Sequence, residues 1–208
     1  MGPDPAALFA LVCGQRLAHT WTPGGVPLLV CQRCTGLYAG AAIALALHAW
    51  LRLRPSTPFL ALHGIFLVAM VPLGLHWVPQ DGLARTLSGI VFGAGVVDFL
   101  WLNPAGRLAV LRPPGRGTWL RYLAVLGLAL LLVPLLAQRG GASAAVLLDA
   151  LALAGLAALA ALVLANGVVA LGAGLRLLRP LTPARGGSRV APAGPPARRA
   201  RRGAALPR

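Results

Sequence analysis

The sequence predicts an all-α, polytopic helical membrane protein with about five transmembrane helices, its N-terminus outside and its C-terminus inside. Three observations predict this. Of 208 residues, 58% are hydrophobic and only 11% charged, against about 25% charged in a soluble domain, and the mean hydropathy is +0.77. Several apolar runs reach the roughly 20 residues that cross a bilayer core. The arginines, finally, are distributed unevenly between alternate loops. They carry the whole cationic charge, because the chain has no lysine, and the net charge of +15 sits in loops and a tail. Membrane topology explains that pattern without any nucleic-acid partner.

The elements follow in order. Residues 1–34 form a polar-studded N-terminal segment. It lacks a basic n-region, and its apolar run from Ala6 to Cys13 is short, so no cleavable signal peptide is expected. Residues 35–179 make the helical bundle, with spans at Thr35–Leu51, Phe59–Trp77, Leu83–Leu102, Trp119–Ala137 and Ala144 to about Leu175. The last is longer than one bilayer needs: either Asn166-Gly167 ends its membrane part, or one long helix projects from the membrane. Residues 180–208, rich in Pro, Gly, Ala and Arg, cannot build a core and are expected to be a disordered cytoplasmic tail. Its Arg198-Arg199 and Arg201-Arg202 pairs suit anionic lipid headgroups, although topological anchoring is the plainer role.

Five spans put Arg52, Arg54, Arg107, Arg112, Arg116, Arg121 and the tail on one side. Only Arg16, Arg33, Arg85 and Arg139 fall on the other. The positive-inside rule makes the arginine-rich side cytoplasmic, within a multi-pass protein of the cell membrane. The sparse outer side then gathers Cys13, Gln15, Arg16, Cys31, Arg33, Cys34, the His76–Gly82 turn and Arg85, with Asp149 in the outer part of the fifth span.

That gathering defines a candidate site. Cys13, Cys31 and Cys34 with His76, or His19 in its place, are a tetrahedral Cys3His ligand set of the kind that holds zinc. The same thiols suit disulfide chemistry, since Cys31 and Cys34 flank a helix N-terminus whose amides and dipole favour a thiolate. A structural disulfide or buried free thiols is the plain alternative. Arg16, Arg33 and Arg85 suit a phosphate or carboxylate; pairing with Asp81 or Asp149, or headgroup contact, is the plainer reading. Tyr38 and Gln80 complete the polar candidates, together with Asp81 and Asp149, the latter an intramembrane acid and a functional candidate for that reason. Gly36 and Gly40 form a small-xxx-small pair that suits close helix packing. Asp98 is expected to pair with Arg107 or a loop arginine, and His48 and His63 to be packing or interface residues.

The block Cys31-Gln32-Arg33-Cys34-Thr35-Gly36-Leu37-Tyr38-Ala39-Gly40, preceded by Cys13, Gln15 and Arg16 and followed by Pro72, Gln80 and Gly89, resembles an uncharacterised prokaryotic family of predicted membrane proteins, domain of unknown function 2085. The resemblance covers about residues 10–100. Gly14 stands where that family's pattern has histidine, and His76 where it has aspartate. The resemblance implies a membrane protein with a shared outer-face site and no known reaction. The readings it leaves are a membrane protein whose Cys/Arg/His cluster binds metal and acts on a small or lipid-like ligand, a quinone-linked thiol–disulfide protein, and a non-catalytic scaffold. No nucleotide-binding glycine loop, nucleophile elbow or H-E-x-x-H pattern is present.

Overall fold

The computed structural model describes residues 5–75 and 77–177, and it is all-helical. The tail expected to be disordered and lipid-facing, residues 180–208, lies outside the described residues, as does His76. A short helix α1 (Pro5–Ala10) and two single 3-10 turns (Leu17–His19 and Pro23–Gly25) precede five long helices. These are α2 (Gln32–Trp50), α3 (Thr57–Gly74), α4 (Gly82–Ala105), α5 (Arg116–Arg139) and α6 (Ala142–Leu177). Each coincides with one of the five apolar runs.

Four of them, α3 to α6, are long and apolar enough to cross a membrane. The fifth expected span, α2, is not among these, because Gln32, Arg33, Thr35 and His48 dilute its apolar residues. Its position accounts for that composition. It packs against α4, α5 and α6, so Thr35 and His48 face protein and are buried. Polar groups on an interior helix have no lipid to avoid.

Backbone approach is what brings α2 and α4 together. A Cβ on Gly36 would strike the Thr86 carbonyl, and one on Gly40 the Ile90 carbonyl. Gly89 and Gly93 of α4 meet the Arg33 and Leu37 carbonyls in return. The pair read as close-packing glycines therefore has a reciprocal pair on the facing helix. Gly155 of α6 closes the other side against the Tyr38 carbonyl. Without a hydrophobic difference between lipid and side chain, such van der Waals contact is a main source of helix association in a bilayer.

In contrast, α3 is peripheral, with 17% of its apolar window buried against 50% for α4. Helix α6 runs unbroken for 36 residues, about 54 Å at 1.5 Å per residue, so it does not break at Asn166-Gly167. The Asn166 amide instead ties it to α4 by donating to the Leu100 carbonyl at 2.8 Å. At one end of the bundle the α2–α3 and α4–α5 loops pair, with Arg54 N–H donating to the Arg112 carbonyl and Arg112 N–H to that of Arg52. Those arginine-bearing loops thus share an end. The N-terminal segment folds over the opposite one.

Candidate metal and anion site

Three anchors hold the N-terminal segment where α2 begins. Trp21 Nε1 donates to Thr86 Oγ1 at 2.9 Å, and Leu29 N–H donates to the Asp149 carboxylate at 3.0 Å. Gln15, with a left-handed φ of 42°, donates its amide to the Ala6 and Leu29 carbonyls. Asp149 and Gln15 are thereby accounted for as fasteners of the segment. Thr20 and Cys31 pair as an isolated antiparallel bridge, which leaves Cys31 as the N-cap of α2.

The fold carries Cys13 back to this cap. The sulfurs of Cys13, Cys31 and Cys34 all lie within 4.8 Å of one another, and all three are free thiols. Cys31 N–H donates to Cys13 Sγ at 3.4 Å. Below the sulfurs lies an apolar floor of Phe9, Val30, Tyr38 and Ala152, with the Phe9 and Tyr38 rings 5.6 Å apart. Tyr38 is buried there as packing.

Cys31 lies ahead of the predicted membrane span, and its thiol is lowered from 9.0 to about 5. The main cause is a hydrogen bond from the Cys34 thiol; the Cys34 and Arg33 backbone amides and the Cys13 thiol add to it, against opposition from partial burial. This is the helix-start effect sharpened by neighbouring thiols: one sulfur carries the negative charge and the others donate to it.

A cavity of about 380 Å³ opens beside Cys31, lined by Gly14, Gln15, Arg16, His19, Arg33 and Arg85. Three guanidinium residues and no carboxylate line it. Among the described residues none of these arginines forms an ion pair, so the expected pairing with Asp81 or Asp149 is not what the structure contains. Asp81 instead caps α4, accepting from Ala84 N–H at 2.7 Å. Arg33 Nη2 donates to Gln80 Oε1 at 2.8 Å and to the Leu73 carbonyl at 3.0 Å. Its Nε is buried without a hydrogen-bond partner. His19 lines the cavity but is not in the group of three sulfurs. A Cβ at Gly14, the position where the family pattern has histidine, would meet nothing within 4 Å.

A second polar cluster went unread in the sequence. Asp98 does not reach Arg107. Its fully buried carboxylate lies 3.0 Å from His48 Nε2 and 3.5 Å from His63 Nδ1. His63 in turn contacts the Phe59 carbonyl through Nδ1 at 2.8 Å and the Tyr122 hydroxyl through Nε2 at 2.7 Å. The carbonyl can only accept, so Nδ1 carries the proton and Nε2 accepts from Tyr122. His48 and His63 are interior residues, as packing groups would be, but they also face the fully buried Asp98 carboxylate. One residue from each of α2, α3, α4 and α5 contributes, at spacings no sequence motif encodes.

No curated protein and no solved structure has a significant match to the chain. Residues 13–99 do match a family model, that of Predicted membrane protein (DUF2085). Over this stretch, which runs from Cys13 past the cavity-lining Arg16, Arg33 and Arg85 to the residue after Asp98, the chain is similar to the DUF2085 family of predicted membrane proteins.

Proposed function

We propose that the chain is a five-span membrane protein of the cell membrane, with its N-terminus outside. In this reading an extracytoplasmic Cys13–Cys31–Cys34 centre binds a metal ion of the zinc type and presents it to an anionic ligand in the Arg16–Arg33–Arg85 cavity. One observation carries the reading: the three sulfurs cluster within 4.8 Å at the wall of a cavity lined by three arginines without ion-pair partners among the described residues. Three thiolates satisfy three positions of a tetrahedral ion, and a site with three protein ligands keeps the fourth for water or substrate. A zinc ion so bound supplies Lewis acidity and a bound water of lowered pKa. The arginine forks supply what the ion does not, orientation of a planar or tetrahedral oxyanion. The outward orientation rests on the arginine-rich loops that pair at the opposite end.

The test is metal analysis of the full-length protein, purified in detergent under reducing conditions. About one zinc or iron per chain is expected, falling to background in Cys13→Ser and Cys34→Ser. A wild-type protein that is folded, reduced and metal-free refutes the reading.

The lowered thiol of Cys31 beside Cys34 favours a second reading, a dithiol that cycles through a disulfide. Mass spectrometry after treatment with oxidant and quinone separates the two. A reversible Cys31–Cys34 disulfide in metal-free protein supports the redox reading; unchanged thiols eliminate it.

A further inference from the structure

We propose that the anionic ligand is a lipid of net negative charge, a phosphate-monoester amphiphile whose terminal phosphate occupies the arginine cavity and whose acyl chain lies in an apolar groove beside α3. This deepens the reading above and rests on it, since the headgroup is placed in the cavity next to the thiols.

The groove has a volume of about 440 Å³ and runs between Phe66, Met70 and Leu73 of α3, Leu87 and Val91 of α4, and Leu130 of α5. Ser88 is its single polar lining residue. From Phe66 to Leu73 it extends about 10 Å along α3, at 1.5 Å per residue, which fits within one leaflet of a 30 Å core. Because α3 is the least enclosed of the candidate spans, the groove lies at the periphery of the bundle, where acyl chains are.

Two hydrogen bonds tie the groove to the cavity. Arg33 lines the cavity and donates to the carbonyl of Leu73, a groove residue. Arg85 also lines the cavity, and its carbonyl accepts from the hydroxyl of Ser88, another groove residue. A site for an anion thus adjoins a site for an apolar chain at the outer end of α3. Free phosphate satisfies only the first, and a neutral acyl chain only the second. A phosphate-monoester lipid satisfies both, with charge-assisted bonds from guanidinium forks to the phosphate oxygens and burial of CH2 groups in the groove; a zwitterionic lipid brings a choline cation into the same arginine-lined cavity.

The full-length protein is reconstituted in phosphatidylcholine nanodiscs with a trace of phosphatidic acid carrying a photoactivatable diazirine in mid-chain. Cross-linked peptides are mapped by mass spectrometry, with diazirine-labelled phosphatidylcholine as the comparison. The expected result is labelling at Met70, Leu87 and Val91 that is about tenfold stronger for phosphatidic acid, the factor expected for one charged hydrogen bond. It falls to the phosphatidylcholine level in the Arg16→Gln/Arg85→Gln double variant. Ala69→Trp places a ring in the groove from an exposed position, so it too lowers labelling while the protein keeps its elution volume. Binding of inorganic phosphate, measured by calorimetry, persists in Ala69→Trp.

Equal labelling by the two lipids makes the groove an ordinary lipid boundary and overturns the proposal. A cross-link to a peptide of a second copy overturns it in favour of an interface. If phosphate binds and metal loads but the groove shows no preference, the lipid inference alone fails. If neither phosphate nor metal binds, the underlying reading fails with it.

Discussion

Cys13 Sγ accepts the backbone N–H of Cys31 at 3.4 Å, although 18 residues separate the two. That bond places the first cysteine of the chain over the N-cap of its central helix. The Cys-x-x-Cys pair at a helix start becomes a three-sulfur cluster through it. What holds Cys13 there is Phe9 packed on Tyr38, the Gln15 amide on two carbonyls, and Asp149 on Leu29. The site therefore depends on residues that bear no thiol, and Asp149→Ala is expected to loosen the cluster without touching a ligand.

The open side of that cluster leads to a prediction at Gly14. A histidine there has room, with nothing within 4 Å of its Cβ, and would face the cavity beside Cys31. Gly14→His is expected to add an imidazole ligand and raise zinc affinity on the order of tenfold, the lower end of what ligand-sphere changes produce. Competition with a chelator measures it. An unchanged affinity places the fourth metal position away from residue 14.

Titration of Cys31 gives a pH prediction. Thiolate is the nucleophile, and the folded value of about 5 lies below the ordinary 9.0. Alkylation of Cys31 by iodoacetamide in reduced, metal-free protein is therefore expected to stay near its maximum at pH 7 and to fall by half near pH 5. Its ionisation contributes stability fully above pH 9, and this is lost as pH falls toward 5. Cys34→Ala removes the main hydrogen bond that lowers Cys31, so the alkylation midpoint moves upward.

The glycines of the α2 interfaces give a packing prediction. Gly155→Ala drives a methyl into the Tyr38 carbonyl, and Gly36→Ala drives one into that of Thr86. Neither backbone can retreat without separating helices, so each is expected to cost about 1–3 kcal/mol or more. A lowered Tm in detergent reports this. Gly127→Ala, with open space around its Cβ, is expected to leave Tm unchanged or slightly raised, as removing a mid-helix glycine does.

The buried Asp98 carboxylate gives another. Removing it by Asp98→Ala leaves His48 and His63 inside the bundle without the carboxylate they face, and orphaning buried polar groups in this way costs about 1–3 kcal/mol. The double variant His48→Phe/Asp98→Leu removes the polar pair together and is expected to be more stable than Asp98→Ala alone. Thermal unfolding of the two variants decides it. A double variant as unstable as the single would mean that the pair stabilises the bundle beyond the mutual satisfaction of two buried polar groups.

The helices were legible in the sequence because apolar length is a local property. Each of the five runs became a helix, and Gly36-x-x-x-Gly40 announced a close contact by its spacing alone. The partner of that contact was not announced: Gly89 and Gly93 acquire their meaning only when α4 lies parallel against α2. Pairing of Asp81 or Asp149 with an arginine stayed open as one alternative in the sequence, because sequence distance says nothing about whether a carboxylate turns to a helix cap or a backbone amide, as these two do. Asp98 was misread for the same reason. Its partners His48 and His63 stand 50 and 35 residues upstream, on different helices.

By itself, then, the sequence determined the class, the helix positions and the polar block at the start of α2, since composition and short-range spacing act within one helix. Tertiary structure alone decided that three sulfurs meet, that the three arginines line a shared cavity without ion pairs among the described residues, and that an acid and two imidazoles share one interior. These are relations between chain segments, and packing of backbone against backbone at Gly36, Gly40, Gly89, Gly93 and Gly155 fixes which segments touch.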